Sequence, residues 1–182
     1  MKILLHICCA PCAIYPVQSL TRGTHEVHGF FYNPNIQPYQ EFARRAAALE
    51  ELAALRQLPV IWDRAYDLEH FLRLVAFREE ERCRFCYHLR LSRAAQAARQ
   101  GGFDAFTSTL LYSKYQKHEL IREMGEDAAR EAGPPFYYQD FRPGWRQGQD
   151  ESRELGLYRQ KYCGCIFSER DRCEKKGSGV WD

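Results

Sequence analysis

No stretch of this chain approaches the run of about 20 apolar residues that crosses a bilayer. The opening MKILLHICCAPC reaches its cysteines too early to read as a secretory leader. The expectation is a soluble, cytoplasmic protein with no membrane partner. Internal repeats and low-complexity linkers are also missing. With 182 residues and 45% hydrophobic content, the chain predicts one domain over 1–182 around one core, ending in a loosely ordered tail over 175–182. Charge of one sign is scarce: 26 basic against 24 acidic residues leave a net +2, so bulk charge does not announce a nucleic-acid partner. Lysine is scarce too, since six of the 26 basic residues are lysine and the rest arginine. The arginine fork pairs with phosphate and stacks on bases, although any single arginine reads more simply as a solvated helix face or an ion pair.

What remains is an alternation of short β-like runs and longer helical ones. Strands are expected at Ile3–Ile7, Val27–Tyr32, Val60–Trp62, Ala105–Thr109 and Phe136–Tyr138, each beside Gly, Pro or Asp turn signals. Helices are expected over Tyr39–Gln57, with Phe42, Leu49, Leu52 and Leu55 on one stripe, and from an Asp67 cap through Phe77. Two more are expected over Arg84–Gln100 and Gln116–Ala132, each stopped by glycine. This pattern predicts an α/β fold: a parallel, five-stranded, Rossmann-like sheet with helices on both faces. Ligands gather at the carboxyl edge of such a sheet. The unusual stretches CCAPC, NPNIQP, STLLYSKYQKH and QDFRPGW all fall after strands, at that edge.

Eight cysteines in a chain of this kind point to metal or redox chemistry more than to disulfides. Cys8, Cys9 and Cys12 form one group, Cys83 and Cys86 a CxxC, and Cys163 and Cys165 a CxC; both pairs fall at expected helix starts on the same edge. A disulfide between neighbours or across one residue would be strained, so local disulfides are a poor account. A structural zinc site is a serious competitor, because two close pairs supply its four thiolates, but it leaves the first trio unexplained. Iron-sulfur clusters take about four thiolates, and the surplus favours redox chemistry. Helix starts stabilise thiolates in either case. His6 shares the side of Cys8 on the first strand, or is a core histidine with satisfied hydrogen bonds. Cys173 reads as a thiol outside the site.

The runs LLHICCAPC, FFYNPNIQP, RCRFCYHLRL, FTSTLL and LYRQKYCGCIFS, in this order and at compatible spacing over nearly the whole chain, resemble the QueH family of epoxyqueuosine reductases. The resemblance implies a nucleotide-hydrolase-like α/β fold, a [4Fe-4S] cluster with an additional iron ion nearby, and an external electron donor. It also implies a two-electron deoxygenation, in which epoxyqueuosine at the wobble position of tRNA becomes queuosine and water is the other product. Cys8, Cys9, Cys83, Cys86, Cys163 and Cys165 fall on the family's cysteine motifs. Position 12, Cys here and Asp in some members, is carried with them as a metal ligand.

The reaction needs a proton donor, and Tyr112, Asp140 and His118 stand on or near the expected strand-edge loops. A packed tyrosine, a turn aspartate and a solvated histidine are the plainer readings of the three. Binding RNA needs aromatic surfaces and cations. Tyr32, Asn33, Asn35, Tyr112, Lys114, Lys117, Arg142 and Arg159 are the candidates, with Tyr39, Tyr115, Trp145, Arg146 and Lys161 beside them. Two other functions compete. An iron-sulfur tRNA sulfur-transfer enzyme would want a Gly/Ser-rich phosphate cradle where CCAPC stands. A non-catalytic zinc module that binds RNA would be colourless.

Overall fold

The computed structural model describes residues 1–174; the expected looseness of 175–182 lies outside the described residues. The sheet is built from β1 (Lys2–His6), β2 (Glu26–Phe31), β3 (Val60–Trp62) and β4 (Ala105–Ser108), in the order β3-β2-β1-β4. Every pairing is parallel, with Ile3 opposite Val27 on one side and Ala105 on the other. Ile3, Leu4 and Leu5 are successive residues that point to alternate faces of β1, and all are fully buried. Both faces of the sheet are therefore covered, which is the condition of a parallel sheet flanked by crossover helices.

Helix α1 (Ala10–Arg22) packs on β2, and α4 (Arg82–Gln100) packs on β1 and β4. Outside these lie α5 (His118–Ala132) against α4 and α6 (Trp145–Glu154) against α1. The remaining helices are α2 (Tyr39–Arg56), α3 (Leu68–Val75) and α7 (Ile166–Glu174). Asp67 caps α3 as expected, its carboxylate accepting from the His70 N–H at 3.0 Å. Helix α1 forms where no helix was expected. Pro11 is compatible with a first turn, while Pro16 lies inside the helix and breaks the sequence signal.

The expected fifth strand is not formed. Phe136 makes an isolated bridge with Phe106: the Phe106 N–H donates to Pro135 O at 3.1 Å and the Tyr137 N–H to Phe106 O at 2.8 Å. Pro135 has no N–H with which to extend the ladder, so the sheet has four strands. The strand order reverses direction between β1 and β4, and the crevice beyond their carboxyl ends is where an open α/β sheet binds its ligand.

Candidate metal centre

Each cysteine group sits at the start of a helix on that edge. Cys9 is the N-cap of α1 and Cys12 lies in its first turn. Cys83 and Cys86 open α4, and Cys165 immediately precedes α7. Unpaired backbone N–H groups and the positive dipole end of a helix favour thiolate there. The sulfurs of Cys8, Cys9 and Cys12 all lie within 4.8 Å of one another, and this is the only group of three or more such ligand atoms at that spacing among the described residues. The Cys8 and Cys9 sulfurs are 3.8 Å apart.

Thr109, just past β4, ties the trio to the switch point: its hydroxyl accepts from the Cys8 N–H at 3.2 Å and donates to the Cys8 sulfur at 3.4 Å. Hydrogen bonds from the Cys12 and Cys9 thiols, helped by Thr109 and Arg90, hold the Cys8 thiol well below the usual range. Burial pushes Cys9 up, and the bond to Cys8 raises Cys12.

Two buried arginines join this trio to the other cysteines. Arg90 is 1% exposed and donates through Nη2 to the Cys86 sulfur at 3.0 Å. Burial opposes its charge, but Cys86, Cys163 and Cys8 all act on it and raise its pKa. Arg45, also 1% exposed, donates to the carbonyls of Cys163 at 2.7 Å and Tyr162 at 3.0 Å, while its Nε pairs with Glu41 at 2.7 Å. Cys86 is pushed up to about 12, mainly by burial, with Cys163, Cys165 and Cys83 contributing. Cys163 itself is exposed to solvent. Two glutamines complete the shell of N–H donors: Gln160 to the sulfurs of Cys9 at 2.8 Å and Cys12 at 3.7 Å, and Gln116 to Cys163 at 3.0 Å.

The NPNIQP segment works as a strap. Gln37 donates its N–H to Gly164 O at 2.9 Å, its side-chain oxygen accepts from the Ile166 N–H at 3.1 Å, and its carbonyl accepts from the Tyr162 hydroxyl. Gly164 is needed between its cysteines, because a Cβ there would stand 3.0 Å from Asn35 Nδ2 and 3.2 Å from Ile36. Asn35 is 1% exposed, and neither polar atom of its side chain has a partner; the side-chain oxygen of Gln160 is also orphaned. A trio of clustered sulfurs, side-chain N–H donors aimed at Cys9, Cys12, Cys86 and Cys163, and unmatched buried amides beside them suit a thiolate-bound metal group.

The other expected residues fall in varied places. His6 is fully buried and bonded on both nitrogens, to Ser108 Oγ at 2.9 Å and Tyr32 O at 3.1 Å, and burial with Arg90 lowers it to about 4. It is a satisfied core histidine. Cys173 lies on α7 with its sulfur 3.3 Å from a Glu169 carboxylate oxygen, outside the groups above. Asn33 is buried and donates to Ile7 O at 2.9 Å, and Tyr32 is half-buried. Tyr112 is packed and fully buried, its hydroxyl donating to Trp145 O at 2.9 Å, with Cys12 and Cys9 among the groups that raise it after burial. His118 faces the Tyr138 hydroxyl at 3.0 Å, and Asp140 is paired with Arg142. No cysteine is among the groups that shift either of them. Lys114, Lys117 and Arg159 are exposed, the last donating to Gln149 at 2.9 Å.

Sequence reasoning missed Arg45, Arg90, Gln116, Gln160 and Thr109. A signal existed for the arginines: Arg45 falls on the stripe of Phe42, Leu49 and Leu52, and Arg90 on that of Cys86, Tyr87 and Ala94. A cation in the apolar phase of a helix demands a buried partner.

Residues 3–171 match a family model described as epoxyqueuosine reductase QueH. A protein named epoxyqueuosine reductase QueH from Dehalococcoides mccartyi is 35% identical over 177 residues, which cover 97% of each chain. Proteins of the same name from Thermotoga maritima and Acinetobacter baylyi are each 35% identical, over 95% and 93% of this chain and 93% and 81% of theirs.

Proposed function

The chain belongs to the QueH family of epoxyqueuosine reductases, and from that membership we propose that it deoxygenates epoxyqueuosine at the tRNA wobble position to queuosine, in the cytoplasm. The epoxide takes up two electrons and two protons, both C–O bonds to its oxygen break, and an alkene and water result. The observation that carries this reading is the convergence of three cysteine groups, distant in sequence, around Arg45 and Arg90 at the switch point of the sheet.

Cys8, Cys9, Cys12, Cys83, Cys86, Cys163 and Cys165 hold a [4Fe-4S] cluster and an adjacent iron. When bound, these groups supply single electrons and a Lewis acid for the epoxide oxygen. Arg90, Gln116 and Gln160 hold the thiolates through N–H···S contacts, those to Cys86 and Cys9 away from water and that to Cys163 at the surface. Of the three proton-donor candidates, only Tyr112 is acted on by Cys9 and Cys12. Its phenol is protonated at neutral pH, as an ordinary tyrosine is, and burial raises it further, which makes it a weaker acid. Asp140, held low by its hydrogen bonds from Arg142, is ionised there and has no proton to give. Electrons come from an external donor. On the substrate side, Lys114, Lys117 and Arg159, which are exposed, would meet the RNA backbone, and Tyr32, Asn33, Asn35 and Arg142 are the further binding candidates.

The test is anaerobic reduction of epoxyqueuosine-containing tRNA by iron-reconstituted protein, with iron and zinc measured in the same sample and nucleosides read by mass spectrometry. Queuosine together with several irons per chain is the expected result. An iron-loaded, chemically reduced sample that makes no queuosine sinks the assigned substrate, and stoichiometric zinc without iron favours a binding module.

A further inference from the structure

Tyr115 leaves 76% of its surface in solvent, yet it ends an aromatic column rooted in the core. Its ring meets Trp145 edge-on at 5.7 Å between centroids, Trp145 packs on Tyr112 at 5.0 Å, and Tyr112 stacks on Tyr15 at 6.4 Å. The Tyr115 N–H donates to Ser113 Oγ at 3.3 Å, which steadies the backbone under the ring. Trp145 is the one ring packed against it among the described residues, and its solvent side is open except to the Arg172 guanidinium.

Cations surround that face: Lys114 and Lys117 are exposed on the same loop, and the Arg172 guanidinium stands 6.0 Å from the ring centroid. The neighbouring residue, Gln116, touches the Cys163 sulfur, so the platform stands at the mouth of the thiol site. Of the other strongly exposed aromatics among the described residues, Phe77 at 99% is followed by Glu79, Glu80 and Glu81, which repel phosphate, and Tyr39 at 61% packs on Phe42 and Tyr66. A free aromatic face among cations is how proteins hold unpaired nucleotides.

We propose that Tyr115 is a stacking platform for an unpaired base of the RNA substrate, beside the base that enters the thiol site, with Lys114, Lys117 and Arg172 meeting the adjoining phosphates. This inference rests on the tRNA reading above. It makes Tyr115 a positioning residue: its ring aligns the RNA, and the chemistry proceeds at the thiols.

The experiment uses the full-length, iron-loaded protein and measures anaerobic binding of an epoxyqueuosine-containing tRNA across a salt series, together with steady-state reduction. Tyr115→Ala should weaken binding about tenfold, within the range found when a stacking aromatic is truncated, and raise KM with kcat changed by less than about twofold. Tyr115→Phe should bind like the wild type, because the ring and not the hydroxyl does the stacking. Lys114→Ala should lower the salt slope of binding, whereas Tyr115→Ala should not. Wild-type affinity in Tyr115→Ala, or equal losses in the Ala and Phe variants, overturns the platform while wild-type turnover leaves the tRNA reading standing. A wild-type protein that neither binds nor reduces the tRNA fails the functional reading itself.

Discussion

Arg90 places a positive charge where 1% of the residue meets solvent, between Cys86, Cys163 and Cys8. A buried cation is costly unless anions face it, and metal-bound thiolates at these cysteines would supply them. Replacement by methionine keeps the volume, removes the N–H···S bond to Cys86 and leaves the thiolates uncompensated. Arg90→Met should bind iron about 10- to 100-fold more weakly, as changes to groups supporting metal ligands do; iron-to-protein ratios after gel filtration would check it. Iron content equal to the wild type would make Arg90 a merely structural cation. A second residue-scale prediction concerns His118, 6% exposed and facing the Tyr138 hydroxyl. Burial, then Arg142, lowers its pKa, so the fold prefers the neutral ring. Stability from that preference is present above the unfolded value of about 6.5 and is lost as pH falls below it. The urea midpoint of the wild type should therefore drop more between about pH 7 and about pH 5 than that of His118→Asn, in which this titration is gone. Parallel pH profiles would rule the group out.

At the scale of elements, the approach of α6 to α1 depends on Gly144. A Cβ there would lie 2.2 Å from the Tyr15 ring, at the root of the aromatic column. Gly144→Ala must displace the ring or the helix start and should cost about 1–3 kcal/mol, the usual penalty of overpacking. Calorimetry should show a melting point lower by about 2–4 °C for each kcal/mol at this size, and an unchanged value would mean that α6 yields freely. The elements also divide into those legible beforehand and those not. The buried run ILL of β1, the stripe of α2 at Phe42, Leu49 and Leu52 and the capped start of α3 were readable because period, cap and breaker agree, whereas Leu55, expected on that stripe, is 61% exposed. Helix α1 was hidden by Pro16, and the segment at Phe136 carried strand-like residues that Pro135 prevents from pairing further. Local pattern misleads where one residue without an N–H decides the outcome.

For the whole molecule, the cysteine groups come from three segments of the chain and pack with β1, α3 and α4: Cys9 and Cys12 join the main core, while Cys86 and Cys165 form a cluster with Phe71 and Val75. A group bound across them staples those segments, and a ligand held only by the folded state stabilises it by mass action. Removing iron with a chelator under anaerobic conditions should lower the melting point and speed proteolysis near the CxC loop; equal melting of the iron-loaded and iron-free chains would show that the fold does not depend on the metal.

By itself the sequence determined the parallel α/β class, the placing of the CxxC and CxC pairs at helix starts and the family, because hydrophobic period, breaker residues and the spacings within CCAPC, CxxC and CxC are local quantities. Only the tertiary structure decided that Thr109, from 101 residues away in the chain, holds Cys8, that Arg45 and Arg90 stand between the cysteine groups, and that Tyr112 is packed while Tyr115 is open to solvent. These depend on which segments meet at the switch point. That meeting is set by burying the faces of the sheet and satisfying buried charges together, a condition no short stretch of sequence carries.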